Sequence, residues 1–215
     1  MLFHVKRDAH DLTAVNRLRS QAGALGVELP ELAARKLLDL ELLLRERAIP
    51  AGMVAAADAD RLRERHVLDC LRAAAVVAED DGEAVDLGSG AGLPGLVIAI
   101  AVPRLTVTLV ERRQRRAGFC EFAAERLDLA NVRVIAASIE DVEGPRADVC
   151  FARALAPLEE AWRLAEPLLR EAGRLVFFAG RGTPGPFTAP GARCLSTVDA
   201  PVLAGSGPLV IMGRQ

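Results

Sequence analysis

Asp86-Leu87-Gly88-Ser89-Gly90-Ala91-Gly92-Leu93-Pro94-Gly95 is the stretch on which the reading of this chain turns. Ahead of it, residues 84–87 form an apolar run of strand character. Behind it, residues 95–101 form an apolar run that Pro94 opens, and proline favours the first turn of a helix. Strand, glycine loop and helix together bring a nucleotide-like ligand against bare backbone. Asp86 stands at the strand tip beside the glycines. A carboxylate there repels a pyrophosphate and attracts an ammonium. S-adenosylmethionine carries an ammonium, a sulfonium and an adenosine but no phosphate, so it is the expected cofactor. Gly90-Ala91-Gly92-Leu93-Pro94-Gly95 also matches the dinucleotide fingerprint G-x-G-x-x-G, a weak motif by itself. A tight turn without a ligand is the plain alternative.

Working outward, the sequence predicts two regions. Residues 1–80 read as a helical N-terminal extension packed on the core, and 81–215 as the cofactor-binding domain. Leu32, Ala33, Leu37, Leu40 and Leu44 recur at helical spacing after Pro30. A further helix is expected over about 58–78, and Asp80-Asp81-Gly82 separates it from the first strand. Strands at 105–110, 132–135, 148–152 and 175–179 then alternate with helices at 114–127 and 158–169. Phe119, Phe122, Ala123 and Leu127 are placed on one face, and Trp162 and Ala165 in the core. This alternation predicts an α/β fold with helices on both faces of a parallel sheet. The tail reads as an antiparallel pair at 193–198 and 208–212. Such a pair is a trait of Rossmann-like class I methyltransferases, with their mostly parallel seven-stranded sheets.

Composition narrows the classes. With 51% hydrophobic and 26% charged residues, the chain is of ordinary globular composition. Its net charge of −2 sets up no global positive field for nucleic acid. Cys70, Cys120, Cys150 and Cys194 form no Cys-x-x-Cys pair and have no histidine cluster beside them. They are expected to be reduced and buried, with neither metal nor disulfide. No signal-like segment or run of membrane-spanning length occurs, so the expected setting is the cytoplasm, without membrane association.

The candidate site follows from the rule that ligands lie across the carboxyl ends of the strands. Gly88 and Gly90 let backbone approach the methionine part, and Asp86 faces its ammonium. Glu111 ends the second strand 23 residues after Gly88, where it can accept both ribose hydroxyls. Ala137-Ser138-Ile139-Glu140-Asp141 is placed against adenine, with a pair of solvated acids as the alternative. Arg153 follows the fourth strand and positions cofactor or substrate, or forms a structural salt bridge. No Asn-Pro-Pro, Asp-Pro-Pro or Pro-Cys occurs, which disfavours exocyclic amines and pyrimidine C5 as acceptors. No general base is expected, and guanine N7 needs none, because it carries a lone pair and no proton. His66, alone near a helix end, reads first as a structural hydrogen-bonder. Arg112, Arg113, Arg115 and Arg116 form the densest basic cluster. With Arg181 they are RNA-contact candidates, a solvated helix face being the alternative.

Taken together, these segments resemble the bacterial 16S ribosomal RNA guanine-N7 methyltransferases, also called glucose-inhibited division protein B. Val85 to Gly95, ending Leu-Pro-Gly, is similar to that family's glycine motif. Glu64-Arg65-His66-Val67-Leu68-Asp69-Cys70-Leu71 resembles its His-x-x-Asp-Ser motif, Ile139-Glu140 its adenine-side pair, and Ala152-Arg153-Ala154 its arginine motif. Phe3-His4-Val5-Lys6 is similar to the start of some members. The resemblance implies methyl transfer from S-adenosylmethionine to N7 of a guanine in the decoding-region hairpin of 16S ribosomal RNA, free or in a small-subunit particle. It implies cofactor contacts at Gly88, Leu93, Ile139, Glu140 and Arg153, and the expected state is a monomer. The chain departs from the pattern at Ala179-Gly180, where members carry lysine before the glycine; Arg181 is the nearest cation. A different acceptor, or a non-catalytic RNA- or ribosome-binding role on the same fold, is the competing expectation.

Overall fold

The computed structural model describes residues 11–143 and 147–215; the Phe3-His4-Val5-Lys6 match lies outside them. Helices α1 (Leu12–Gly23) and α2 (Glu31–Leu43) come first, α2 running on through a wider turn at Leu44–Ala48. Asp11 caps α1 by accepting from the Thr13 N–H at 3.1 Å. The regular helix expected over 58–78 is not what forms. Short turns of 3-10 and π geometry at Ala56–Arg61, Arg63–Leu68 and Arg72–Val76 surround a single α turn, α3 (Asp69–Leu71). Every residue from 66 to 73 is buried. The segment packs into the core, and its buried polar members Asp58, His66, Asp69 and Arg72 are held by one another and by Arg153, as described below.

From there strands and helices alternate as the apolar runs predict: β1 (Glu83–Leu87), α4 (Gly95–Ala101), β2 (Thr106–Val110), α5 (Gln114–Arg126), β3 (Val132–Ile135), β4 (Ala147–Arg153), α6 (Leu158–Ala165), β5 (Leu169–Phe178), β6 (Ala192–Val198) and β7 (Leu209–Arg214). The strands form one sheet in the order β3-β2-β1-β4-β5-β7-β6. The first five are parallel; β7 runs antiparallel to β5, and β6 to β7. Strand β5 begins six residues earlier than its apolar stretch suggests, at Leu169, so α6 ends sooner.

Alternation along the strands divides the core in two. Ala84, Val149, Phe151 and Val176 face the side covered by α2, α4 and α5, in one cluster with the leucines of the N-terminal helices. Val85, Leu87, Cys150 and Leu175 face Trp162 of α6 on the other side. Three expectations are corrected. Leu32 is 67% exposed, because the buried face of α2 begins at Ala33. Phe122 is 40% exposed and lies under the Arg47 guanidinium, 5.7 Å from its ring centre. Cys194 is exposed, because β6 is the sheet edge and nothing covers that face; the other three cysteines are buried and free. Asp81 is no loose linker residue either: Arg174 of β5 grips both its oxygens and the Val76 carbonyl.

Candidate active site

The chain passes outward from β1 to β2 and β3, then returns to β4 beside β1. This reversal leaves a crevice at the carboxyl edge, the place where open α/β sheets bind ligands. The cavity there is about 390 Å³. Gly88 from the β1 tip, Glu111 from β2, Ile139 and Glu140 from beyond β3, and Ala154 and Leu155 from beyond β4 all line it.

Glu111 is buried and doubly anchored. Oε2 accepts from the Gly90 N–H at 3.0 Å, and Oε1 from the Arg113 N–H at 2.8 Å. A carboxylate has about four lone-pair positions, so each oxygen keeps one for a ligand hydroxyl. Gly90 itself does not line the cavity; its amide orients Glu111. Gly88 adopts φ +68°, and a Cβ there would come within 2.7 Å of Leu155 Cδ1. Only glycine gives the crevice a floor of bare backbone at this point. The chemistry fits an adenosine-bearing ligand: a hydroxyl-accepting carboxylate, an apolar Ile139 wall and close backbone.

Asp86 is placed elsewhere than its charge argument suggests. It has the strand parity of Ala84, so its side chain goes under α4 and is 1% exposed. Oδ2 accepts from the Gly95 N–H at 2.9 Å, while Oδ1 has no partner among the described residues. Burial pushes its carboxyl up to about 7 against the pull of that hydrogen bond. Gly95 permits the approach, since a Cβ there would lie 2.7 Å from Oδ2. The first amide of α4 is thus bonded to the chain's own carboxyl.

Arg153 does not line the cavity. Its Nε donates to Asp69 Oδ2 at 3.2 Å and its Nη2 to the Arg65 carbonyl at 2.9 Å. Arg72 Nε donates to Asp69 Oδ1 at 3.1 Å, so Asp69 lies between two arginines. Arg153 Nη2 also lies 3.3 Å from His66 Nδ1. Arginine only donates, so Nδ1 is an acceptor, and Nε2–H donates to Asp58 Oδ2 at 3.0 Å. His66 is therefore neutral in this arrangement, and burial, then Arg153, hold its pKa below the ordinary value. It is the structural hydrogen-bonder that its isolation suggests. Arg153 ties the β4 tip to the N-terminal segment, the salt-bridge alternative.

The remaining candidates divide. Leu93 is buried and off the cavity. Arg112, Arg113 and Arg116 stand on the crevice wall, Arg115 does not, and Arg181 lines a separate cleft. Sequence reasoning missed Glu160 and Leu164, which α6 turns into the crevice. Their spacing of four, just after Pro157, is the signal that was present. Burial pushes the Cys70 thiol up to about 12 and raises that of Cys150, so neither supplies a thiolate. Among the described residues no group of acids, histidines and cysteines is arranged to hold a metal.

Comparison with known proteins agrees with this geometry. Solved structures share the fold at low identity. The mitomycin 7-O-methyltransferase MmcR matches with a TM-score of 0.59 at 16% identity, over 96% of this chain and 76% of that one. A SAM-dependent methyltransferase from Aquifex aeolicus matches with a TM-score of 0.56 at 15% identity, over 76% and 97%. Curated relatives carry the name ribosomal RNA small subunit methyltransferase G. That of Thermobifida fusca is 43% identical over 64% of this chain and 58% of its own length. That of Salinispora arenicola is 41% identical over 73% and 72%, and that of Granulibacter bethesdensis 37% over 84% and 82%. The family model for rRNA small subunit methyltransferase G matches residues 34–184, which include the glycine loop, the crevice and the Arg153 network. The chain belongs to the rRNA small subunit methyltransferase G family.

Proposed function

We propose that this chain transfers the methyl group of S-adenosylmethionine to N7 of a guanine in the decoding-region hairpin of 16S ribosomal RNA. The observation that carries the reading is Glu111, buried in the floor of the crevice with one acceptor position left on each oxygen. A ribose diol fits that pair. Family membership supplies the ribosomal acceptor.

The bound cofactor supplies an electrophilic methyl group on a cationic sulfur. The chain's own residues hold it in place. Glu111 would accept the two ribose hydroxyls, Gly88 would bring backbone close, and Ile139 would cover the adenine. Asp86 is bonded to the first amide of α4, that of Gly95. The ionisable side chains on the cavity wall are carboxylates and arginines, and the proposed reaction calls on no general base among them. N7 of guanine requires none. Its lone pair carries no proton, so the residues of the wall would have none to remove when the methyl group is offered. The work left to the protein is alignment, which can supply a large part of the rate.

Calorimetry with S-adenosylmethionine is the first test, and binding is the expected result. Mapping 7-methylguanosine in ribosomal RNA from cells with and without the gene tests the acceptor. Heat with NAD but none with S-adenosylmethionine would overturn the cofactor. An unchanged modification map would overturn the acceptor.

A further inference from the structure

A cavity of about 560 Å³, against about 390 Å³ for the cofactor crevice, lies elsewhere on the molecule. It opens between the end of α1, the segment at 61–68 and the turn at 202–206. Resting on the function proposed above, we propose that this cleft holds the RNA strand flanking the acceptor nucleotide, with Arg61, Arg65 and Arg181 on its phosphates.

Charge separates the two cavities. In the crevice Arg112, Arg113 and Arg116 are matched by Glu111, Glu140 and Glu160, three against three, so they raise no net positive field. In the cleft Arg61, Arg65 and Arg181 face Glu64 on the lining and Asp58 behind it, three against two. Arginine's planar fork suits phosphate, and single-stranded RNA also presents base N–H groups and 2′-hydroxyls that the Glu64 carboxylate can accept. Leu25, Leu68 and the exposed Val202 give the cleft apolar wall on which an unstacked base can rest.

The arginines are placed by the fold. Arg65 Nε and Arg61 Nη2 lie 3.4 and 3.8 Å from the same Asp58 oxygen, whose partner oxygen accepts from His66. Two cations lean on one buried carboxylate, so the local excess stays positive. Arg181 forms no ion pair among the described residues. It stands where the stretch after β5 passes the cleft.

The cleft and the crevice share a wall. Arg153 donates to the Arg65 carbonyl on the cleft side, and its chain neighbour Ala154 lines the crevice. A strand seated in the cleft therefore passes the β4 tip, beside the methyl donor's place.

The test compares the wild type with Arg61→Ala/Arg65→Ala, Arg181→Glu and an edge-strand control, Arg193→Ala. Filter binding is done with 16S ribosomal RNA and with small subunits from cells lacking the gene, across a salt series. Steady-state methylation and S-adenosylmethionine calorimetry accompany it. Expected are an unchanged cofactor affinity, a KM for RNA raised about ten-fold or more with kcat little altered, and the control at wild-type values. The double variant should lower the slope of log affinity against log salt by roughly 1.4, at about 0.7 per single-strand phosphate contact. Arg181→Glu touches no buried partner, so it decides the matter even if the double variant misfolds. Wild-type slope and KM in Arg181→Glu and the double variant would overturn the cleft. Wild-type protein that binds RNA with the expected slope but methylates nothing would instead overturn the functional reading and leave the cleft standing.

Discussion

The cofactor crevice and the acceptor-side cleft are built by different means. The crevice is assembled from strand tips and a glycine loop, and its key contacts are backbone amides within one β-α unit or the next. The cleft and the wall behind it are assembled from parts far apart in the chain. Arg153 reaches Asp69 across 84 residues and the Arg65 carbonyl across 88. The comparison teaches that a ligand recognised by backbone leaves a mark in sequence, whereas a surface held by long-range ion pairs leaves scattered arginines that look like any solvated face.

The contrast can be broken most sharply at Gly88. Gly88→Asp should weaken S-adenosylmethionine binding by roughly two orders of magnitude or more, because φ +68° and Leu155 leave a side chain no room. Calorimetry reads this, with folding unchanged by circular dichroism. Near-normal affinity would mean that the loop does not touch the ligand.

Next comes the wall between the cavities. Asp69→Ala leaves the buried Arg72 and the partly buried Arg153 without their shared carboxylate, and should cost about 3 kcal/mol in denaturant unfolding. A loss below about 1 kcal/mol would show that the guanidinium groups find other partners, and the wall would then be less rigid than drawn.

Asp86 tests the crevice through pH. Its folded carboxyl titrates at about 7, against an ordinary 3.8, so between those values the folded state binds a proton that the unfolded state does not. Stability contributed by this group therefore rises as pH falls from 7 towards 4. Asp86→Asn keeps an oxygen for Gly95 and cannot ionise. Relative to that variant, the wild type should gain about 2–3 kcal/mol between pH 8 and pH 5. Equal pH dependence in the two proteins would place an ionised carboxylate in solvent, not under α4.

The smallest effect is expected where the N-terminal helices meet α5. Phe122→Ala removes the ring under Arg47 and should cost about 0.5–1 kcal/mol by thermal unfolding, as exposed cation–π pairs do. A much larger loss would mean that this contact, and not the ion-pair wall, joins the two halves.

Much of the fold was legible before any coordinates. The strands β1 to β4 and helices α4 and α5 fall within a residue or so of their apolar runs, because parallel strands buried on both faces are short and continuous in sequence. Glu111 and the loop at 137–141 could be placed in the crevice from position, and Ile139 and Glu140 were singled out by the family resemblance. Asp86 shows the limit. Its charge and place in the loop suggested a ligand contact, yet its alternation with Val85 and Leu87 already assigned it to the face that α4 covers. The helix expected over 58–78 failed for a related reason. Four polar residues within it, Asp58, His66, Asp69 and Arg72, satisfy one another or Arg153 in the interior, and no local pattern reveals those partners.

Amino-acid order alone determined the alternating sheet, the glycine loop and the acidic strand end after β2, because strand period, helix starts and glycine conformations act over a few residues. Tertiary structure alone decided that Asp86 closes α4, that Arg153 joins β4 to the Arg65–Asp69 segment, and that Arg61, Arg65 and Arg181 surround one cleft. Those outcomes depend on which charges meet when distant segments pack, and burial makes each such meeting obligatory without announcing it in the local sequence.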